Sequence, residues 1–265
     1  MQQWNFNGIR KMDKIERFGL SKFEIIAGPC TIENYENLYN NAQVLKELGI
    51  KYLRGGAYKM RTSFHSFRGL GDSGVIHLEN VGKELDMITV SECTQIDKVE
   101  YMAQHIDVLV VGTRNMHNYP LLEALGNIDK PIILKRGIAA TYDEWLAAAG
   151  YIIDNGNEQV ILCERGIRTF VRDTRYTFDV SAIAVMKRKS GLPVIADPSH
   201  AAGNRNLVPS LAYSAIAAGA DGLLLECTTN PSENICDADQ TIEPQTLKHI
   251  IDATPNLRRH LLGTN

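Results

Sequence analysis

Short apolar runs rich in Val, Ile and Leu recur along the 265-residue chain at 23–27, 50–53, 87–90, 107–111, 132–134, 159–162, 193–196 and 221–225. Continuous apolar runs of this length read as strands covered on both faces, as in a parallel sheet. Between them lie stretches of helical character, including 35–48, 95–104, 142–155, 179–189 and 207–218. Thr141 before Asp143 and Glu144 marks a helix start, and Gly49 and Gly191 fall where helices should stop. Eight strands alternating with helices predict an α/β chain, a single-domain (β/α)₈ TIM barrel over 23–265. The leading segment 1–22 is an N-terminal extension, too short for a regulatory domain. A doubly wound open sheet uses the same elements, but eight evenly spaced units suit closure better. The segment 61–74 is the longest irregular connection, and long loops in compact domains are commonly functional.

Composition narrows the function classes. Hydrophobic residues at 44% and charged residues at 22% support a full core and exclude disorder. A net charge of −3 gives no global positive field for nucleic acid or an anionic membrane, so neither is expected as a partner. Any anion must meet a local cluster of cations. Five scattered cysteines, a start (MQQWNFNGIRKMDK) without the apolar core of a signal peptide, and no membrane-length apolar run predict a cytoplasmic protein with reduced thiols.

In this architecture chemistry sits at the C-terminal ends of the strands. These read Gly28-Pro29-Cys30, Arg54-Gly55-Gly56, Ser91-Glu92-Cys93, Gly112-Thr113-Arg114-Asn115, Lys135-Arg136-Gly137, Cys163-Glu164-Arg165-Gly166, Asp197-Pro198-Ser199-His200 and Glu226-Cys227. So many charged and metal-capable side chains at one end of the strands imply a common site. The cations Arg54, Lys59, Arg61, Arg114, Lys135, Arg136, Arg165 and Arg168 suit a ligand rich in phosphate or carboxylate oxygens, although each taken singly also reads as a rim salt bridge. Cys30, His200, Glu226 and Asp237 follow the first, seventh and eighth strands and sit in the final loop. Closure makes the first and eighth strands neighbours, and one thiolate, one imidazole and two carboxylates suit a divalent ion such as Mn²⁺, Fe²⁺, Co²⁺ or Zn²⁺. Spacing alone does not separate that reading from a buried thiol and a hydrogen-bonded histidine. Glu92 reads as a general acid or base, or as a counter-charge to the cations. Cys163 and Cys236 read as packing residues, and His65 and His117 as loop residues.

These motifs together, Ala27-Gly-Pro-Cys30, Leu53-Arg-Gly-Gly-Ala57, Lys59 with Arg61-Thr62-Ser63, Ser66-Phe67, Gly112 with Arg114-Asn115, Leu134-Lys-Arg-Gly137, Cys163-Glu-Arg-Gly166 and Asp197-Pro-Ser-His200, resemble 3-deoxy-D-arabino-heptulosonate 7-phosphate (DAHP) synthase. The likeness is to the type I beta branch, related to 3-deoxy-D-manno-octulosonate 8-phosphate (KDO8P) synthase. It implies a homotetrameric barrel that uses one divalent metal to condense phosphoenolpyruvate with erythrose 4-phosphate, the first step of the shikimate pathway and so of aromatic amino acid biosynthesis. It also implies Cys30, His200, Glu226 and Asp237 as metal ligands, and Arg54, Lys59, Glu92, Arg114, Lys135 and Arg165 around phosphoenolpyruvate. Asp197 and Ser199 are likewise implied on the substrate side, and Lys59, Met60, Arg61 and Thr62 facing the aldose and its phosphate. Cys30, His200, Lys59 and Glu92 are then the catalytic set: the first two through the metal, Lys59 as proton donor and Glu92 orienting water.

Some positions depart from the family pattern. Met60 stands where the heptulosonate synthases usually carry proline, which removes a fixed φ from the aldose loop. Cys227 follows Glu226, and Asp239 lies close enough to Asp237 to compete as ligand. Two other readings therefore stand beside the first: a paralogue or KDO8P-synthase-like enzyme taking a different aldehyde phosphate, and a barrel that only binds.

Overall fold

The computed structural model of the chain describes residues 23–60 and 65–263. The 1–22 extension, and Arg61 and Thr62 of the expected aldose loop, lie outside the described residues. Eight parallel strands, β1 (Glu24–Gly28), β2 (Tyr52–Arg54), β3 (Ile88–Glu92), β4 (Val108–Val111), β5 (Ile132–Lys135), β6 (Val160–Glu164), β7 (Val194–Ala196) and β8 (Gly222–Glu226), pair in chain order. They close through β1 and β8, which excludes the open doubly wound sheet. Around them run α1 (Tyr35–Glu47), α2 (Asp72–Glu84), α3 (Val99–His105), α4 (Tyr119–Gly126), α5 (Tyr142–Asp154), α6 (Val180–Ser190), α7 (Pro198–Ala202), α8 (Val208–Ala217) and α9 (Pro244–Leu262). Because α2 begins at Asp72, the last three residues of the irregular connection expected over 61–74 belong to a helix.

Six of the eight strands run further toward their C-termini than the apolar runs did. Five end on a charged residue: Arg54, Glu92, Lys135, Glu164 and Glu226. The reason is that ladder hydrogen bonds continue after the hydrophobic requirement has ended at the barrel mouth. Alternation then decides which way each polar residue faces. Ile26, Tyr52, Val90, Val108, Val110, Ile133, Ile161, Cys163, Ile195 and Leu224 form the core inside the barrel, and their neighbours, such as Ala27, Leu53, Leu109, Val111, Leu134, Leu162, Leu223 and Leu225, pack outward against the helices. Two positions beyond the last inward apolar residue come Gly28, Arg54, Glu92, Gly112, Lys135, Arg165, Asp197 and Glu226. That shared parity aims them at the mouth.

Outside the barrel the helix signals behave as their chemistry dictates. Gly191 ends α6 with φ +71, and Gly49 follows α1 with φ +82, conformations in which a Cβ is strained. Before α5, the Thr141 hydroxyl accepts from Glu144 N (3.2 Å) while the Glu144 carboxylate accepts from Thr141 N (2.7 Å), closing a capping box. Trp145, fully buried, donates from Nε1 to Leu134 O at 3.1 Å and so ties α5 to β5. Replacing the cap, Thr141→Ala, is expected to cost about 1 kcal/mol. Urea unfolding should register this as a lower midpoint with an unchanged slope, and an unmoved midpoint would show the cap idle.

Candidate active site and metal centre

The inward-facing strand ends surround a cavity of about 390 Å³ lined by Lys59, Met60, Glu92, Arg114, Lys135, Arg165, Arg168, Arg175, Tyr176, His200 and Asp237, among others. Six of these are Lys or Arg. Arg54 lies deeper, against Lys59, Glu92 and Lys135, with Nη1 2.8 Å from Glu226 Oε1. Gly112 occupies an inward position because a Cβ there would collide with the Glu92 carboxylate; Gly28 does so because one would collide with Arg54 O. Gly112 thus lets the Glu92 side chain lie across it, and Gly28 lets the β2 backbone approach closely.

One expected cation turns away from the cavity. Arg136 has the opposite parity to Lys135, and its Nη1 meets Glu164 (3.0 Å) and Asp179 (2.8 Å) while its guanidinium stacks 4.7 Å from the Tyr142 ring. It ties strand ends to α5 and α6. Asp197 and Ser199, expected on the substrate side, instead sit buried behind the cavity wall. Asp197 holds Lys135 Nζ at 2.6 Å and caps α7 by accepting from His200 N at 3.0 Å, while Ser199 Oγ accepts from Glu226 N at 3.0 Å. Asp197 keeps the inward parity of the strand ends, but the hydrogen-bonding atoms of both side chains are taken up by these protein groups.

Sγ of Cys30, a ring nitrogen of His200 and carboxylate oxygens of Glu226 and Asp237 lie within 4.8 Å of one another. Asp239 is exposed, and Cys227 faces outward into the core, where burial pushes its thiol up to about 12; neither belongs to this group. The electrostatics suit a divalent ion. Burial outweighs the Asp197 and Glu226 carboxylates and lowers the His200 pKa, favouring the neutral ring that a metal needs. Burial opposes the charge of Glu226, yet His200, Arg54 and Lys59 hold it well below the usual carboxylate range. His200 Nδ1 lies 2.7 Å from Asp197 Oδ2, but off a good hydrogen-bond line, so distance alone marks the pairing that would orient its Nε2. The mixed S, N and O donor set fits first-row ions better than Mg²⁺ or Ca²⁺.

Lys59 links the two halves of the site, its Nζ 3.1 Å from Cys30 Sγ. Burial works against its charge, but Cys30, Glu92 and Glu226 prevail and raise its pKa. It therefore stays a proton donor at neutral pH. Three neighbours escaped the sequence reading. Cys236, read as packing, lies with Sγ 3.3 Å from Cys30 Sγ. Gln240 donates to Glu226 Oε2 at 2.5 Å, and Arg175 reaches Gln240 Oε1 at 2.8 Å and Asp237 Oδ1 at 3.4 Å. The last two belong to loops without periodic signal, where only the position of Gln240 three residues after Asp237 hinted at shared duty.

A family model described as the DAHP synthetase I family matches residues 12–262. The phospho-2-dehydro-3-deoxyheptonate aldolase of Thermotoga maritima is 42% identical over 91% of this chain and 71% of its own length. A crystal structure of that enzyme, also titled DAHP synthase, superposes with a TM-score of 0.87 over 91% of this chain and 70% of the solved one. A truncated form gives 0.84 at 39% identity, covering 91% and 88%. A 2-dehydro-3-deoxyphosphooctonate aldolase of Acidithiobacillus ferrooxidans is 31% identical over 81% of this chain and 82% of its own.

The contact with Cys236, burial and the Glu226 charge together push the Cys30 thiol well above its usual value, against Lys59 and Arg54. It holds its proton at neutral pH until a metal displaces it. Binding of a divalent ion is therefore expected to release about one proton and to weaken about tenfold for each unit fall in pH. Calorimetric titration in buffers of different ionisation enthalpy measures that proton, and binding without proton release would count against Cys30 as a ligand.

Proposed function

The chain belongs to the DAHP synthetase I family, and we propose that its barrel mouth condenses phosphoenolpyruvate with erythrose 4-phosphate, giving DAHP and phosphate at the first step of the shikimate pathway. One observation carries this assignment to the residues: a cavity lined by Lys59, Arg114, Lys135, Arg165 and Arg168 opens onto the Cys30, His200, Glu226 and Asp237 cluster, with Lys59 touching both. Two phosphorylated reactants need such neutralisation to lie side by side.

In this reading Arg54, Arg114, Lys135 and Arg165 bind the carboxylate and phosphate of phosphoenolpyruvate. Arg165 is braced over the Tyr176 ring at 4.2 Å, and Lys135 is fixed by Asp197, so both donors are oriented before substrate arrives. Lys59, Arg61 and Thr62 receive the aldose phosphate. Cys30, His200, Glu226 and Asp237 hold the metal, for which Mn²⁺, Fe²⁺, Co²⁺ and Zn²⁺ are the candidates, and which when bound supplies Lewis acidity toward the aldehyde oxygen. The enol carbon C3 bonds to the aldehyde carbon, and Lys59 delivers its proton to the alkoxide that forms. Water, oriented by Glu92, adds at C2. One proton of that water restores Lys59, and the C2–O bond to phosphate then breaks as the C2 hydroxyl passes its remaining proton to the departing phosphate and the ketone forms.

The acceptor is the open dimension of specificity. Met60 lines the cavity and its thioether accepts from Asn115 Nδ2 at 3.1 Å, giving that wall an apolar, adaptable surface that favours a second reading with a different aldehyde phosphate. A cytoplasmic homotetramer completes the proposal; light scattering of the purified chain tests the assembly.

The decisive assay is phosphate release by metal-loaded protein with phosphoenolpyruvate and erythrose 4-phosphate, arabinose 5-phosphate or ribose 5-phosphate. Preference for erythrose 4-phosphate, abolished by a chelator and by Cys30→Ala, is the expected result. Preference for another aldose moves the chain to the second reading, and silence with all three makes it a binding barrel. Lys59→Met is expected to lower kcat by about 10²- to 10⁴-fold, the usual worth of a positioned proton donor. An unchanged kcat would remove Lys59 from that role.

A further inference from the structure

We propose that Arg175 and Gln240 form one positioning relay that holds two of the four metal ligands, and that Arg175 acts through that relay and not as an anchor for substrate. The inference rests on the metal reading above. It begins from which oxygen of each carboxylate is engaged. Glu226 turns Oε1 toward Arg54 Nη1 (2.8 Å) and His200 Nε2 (3.3 Å), and its Oε2 receives Gln240 Nε2 at 2.5 Å. Asp237 turns Oδ2 toward Cys30 Sγ at 3.1 Å, and its Oδ1 lies 3.4 Å from Arg175 Nη1. Each carboxylate therefore presents one oxygen to the thiol and imidazole and has the other held from behind.

The two holds are joined, because the same Arg175 Nη1 donates to Gln240 Oε1 at 2.8 Å. An amide is the side chain suited to the middle position, since its nitrogen donates to Glu226 while its oxygen accepts from Arg175. A carboxylate there would repel Glu226, and a thioether would leave Glu226 Oε2 without its donor. Gln240 is only 2% exposed, so water cannot readily replace what it supplies. Asp237 needs the help most. Its backbone has φ +54, and it sits in a loop whose main chain is tied down elsewhere, by Arg205 donating to Ala238 O (2.7 Å) and by Glu33 accepting from Ile235 N (2.6 Å). Those contacts fix the loop's main chain; on the carboxylate itself Cys30 Sγ engages Oδ2 and Arg175 holds Oδ1. The guanidinium does line the cavity, but the Nη1 that would face the cluster is already committed to two protein oxygens.

Metal-stripped full chain, titrated with Co²⁺ against a metal-sensitive chelator dye, reads the relay directly. Arg175→Met and Gln240→Met are each expected to weaken Co²⁺ binding by about 10- to 100-fold, the range for groups that orient ligands. The double variant should bind about as weakly as the weaker single variant, because two parts of one relay are not additive. Arg175→Lys should recover part of the loss, since one nitrogen makes both contacts, and KM for each substrate at saturating metal should stay near the wild-type value. Wild-type Co²⁺ affinity in Arg175→Met together with a raised KM would overturn the proposal and make Arg175 a substrate cation. Additive losses would also overturn it. Wild-type protein that binds no Co²⁺ would bring down the metal reading and the relay with it, whereas wild-type binding with unaffected variants sinks the relay alone. Thermal midpoints by circular dichroism accompany each variant; if buried Gln240→Met does not fold, the two substitutions at half-exposed Arg175 carry the test.

Discussion

The site depends on how β1 meets β8. Their five-residue register runs from Glu24 opposite Gly222 to Gly28 opposite Glu226, and Cys227 N continues it to Gly28 O at 3.0 Å. This pairing brings residues from opposite ends of the chain into one cluster, with Cys30 just beyond β1 and Glu226 at the last position of β8. Because side-chain direction alternates, a slip of one residue would turn Glu226 toward the helices and bring Cys227 into the mouth. The inward Leu224 and outward Leu223 and Leu225 resist such a slip, since it would exchange the barrel core for the helix-facing core. Hydrophobic sorting along β8 thus fixes the position of a carboxylate two residues further on.

Burying charge at that mouth is unfavourable unless every charge has a partner. Glu226 and Asp197 are almost wholly buried, and each is opposed by a cation from the next strand but one: Arg54 on β2 for the first, Lys135 on β5 for the second. His200 stands between the two carboxylates, its two nitrogens 2.7 Å and 3.3 Å from them. Removing one member of such a pair typically costs about 3–5 kcal/mol, because the other is left buried and uncompensated. The same pairs hold Lys135 and Arg54 in fixed directions. A donor whose orientation is settled in advance loses little freedom when an anion arrives, which links the folding requirement to the chemistry.

Fold and site were legible in the sequence to different depths. The barrel followed from eight apolar runs because burial on both strand faces leaves an unmistakable pattern, and the mouth followed because polar residues clustered at one end of those runs. Direction was harder to see. Lys135 and Arg136 are adjacent cations, but only counting by twos from Ile133 shows that the second faces Glu164 and Asp179. Asp197 and Ser199 sit inside a motif full of functional residues, and only the structure shows that their contacts are with Lys135, His200 and Glu226. Arg175, Cys236 and Gln240 come from loops where no periodicity constrains position, and long-range contacts alone bring them to the cluster.

That difference between strand-borne and loop-borne residues bears on how a metal would be held. Cys30, His200 and Glu226 leave β1, β7 and β8 within four residues of the ladder, so their positions inherit the rigidity of the barrel. Asp237 is eleven residues beyond Glu226, in a loop joined through Glu33 to the connection before α1 and to α1 itself through Asn41 Oδ1, which accepts from Thr229 N at 2.6 Å. A ligand carried this way can be displaced without disturbing the sheet. Three fixed donors and one tethered donor would give a bound ion a centre whose core is set by folding and whose fourth position depends on side chains beside the cavity. Changes in the β8–α9 loop, such as Cys236 or the Asp237-Ala238-Asp239-Gln240 sequence, therefore alter the surroundings of the ion while leaving the barrel that supports the other three donors intact.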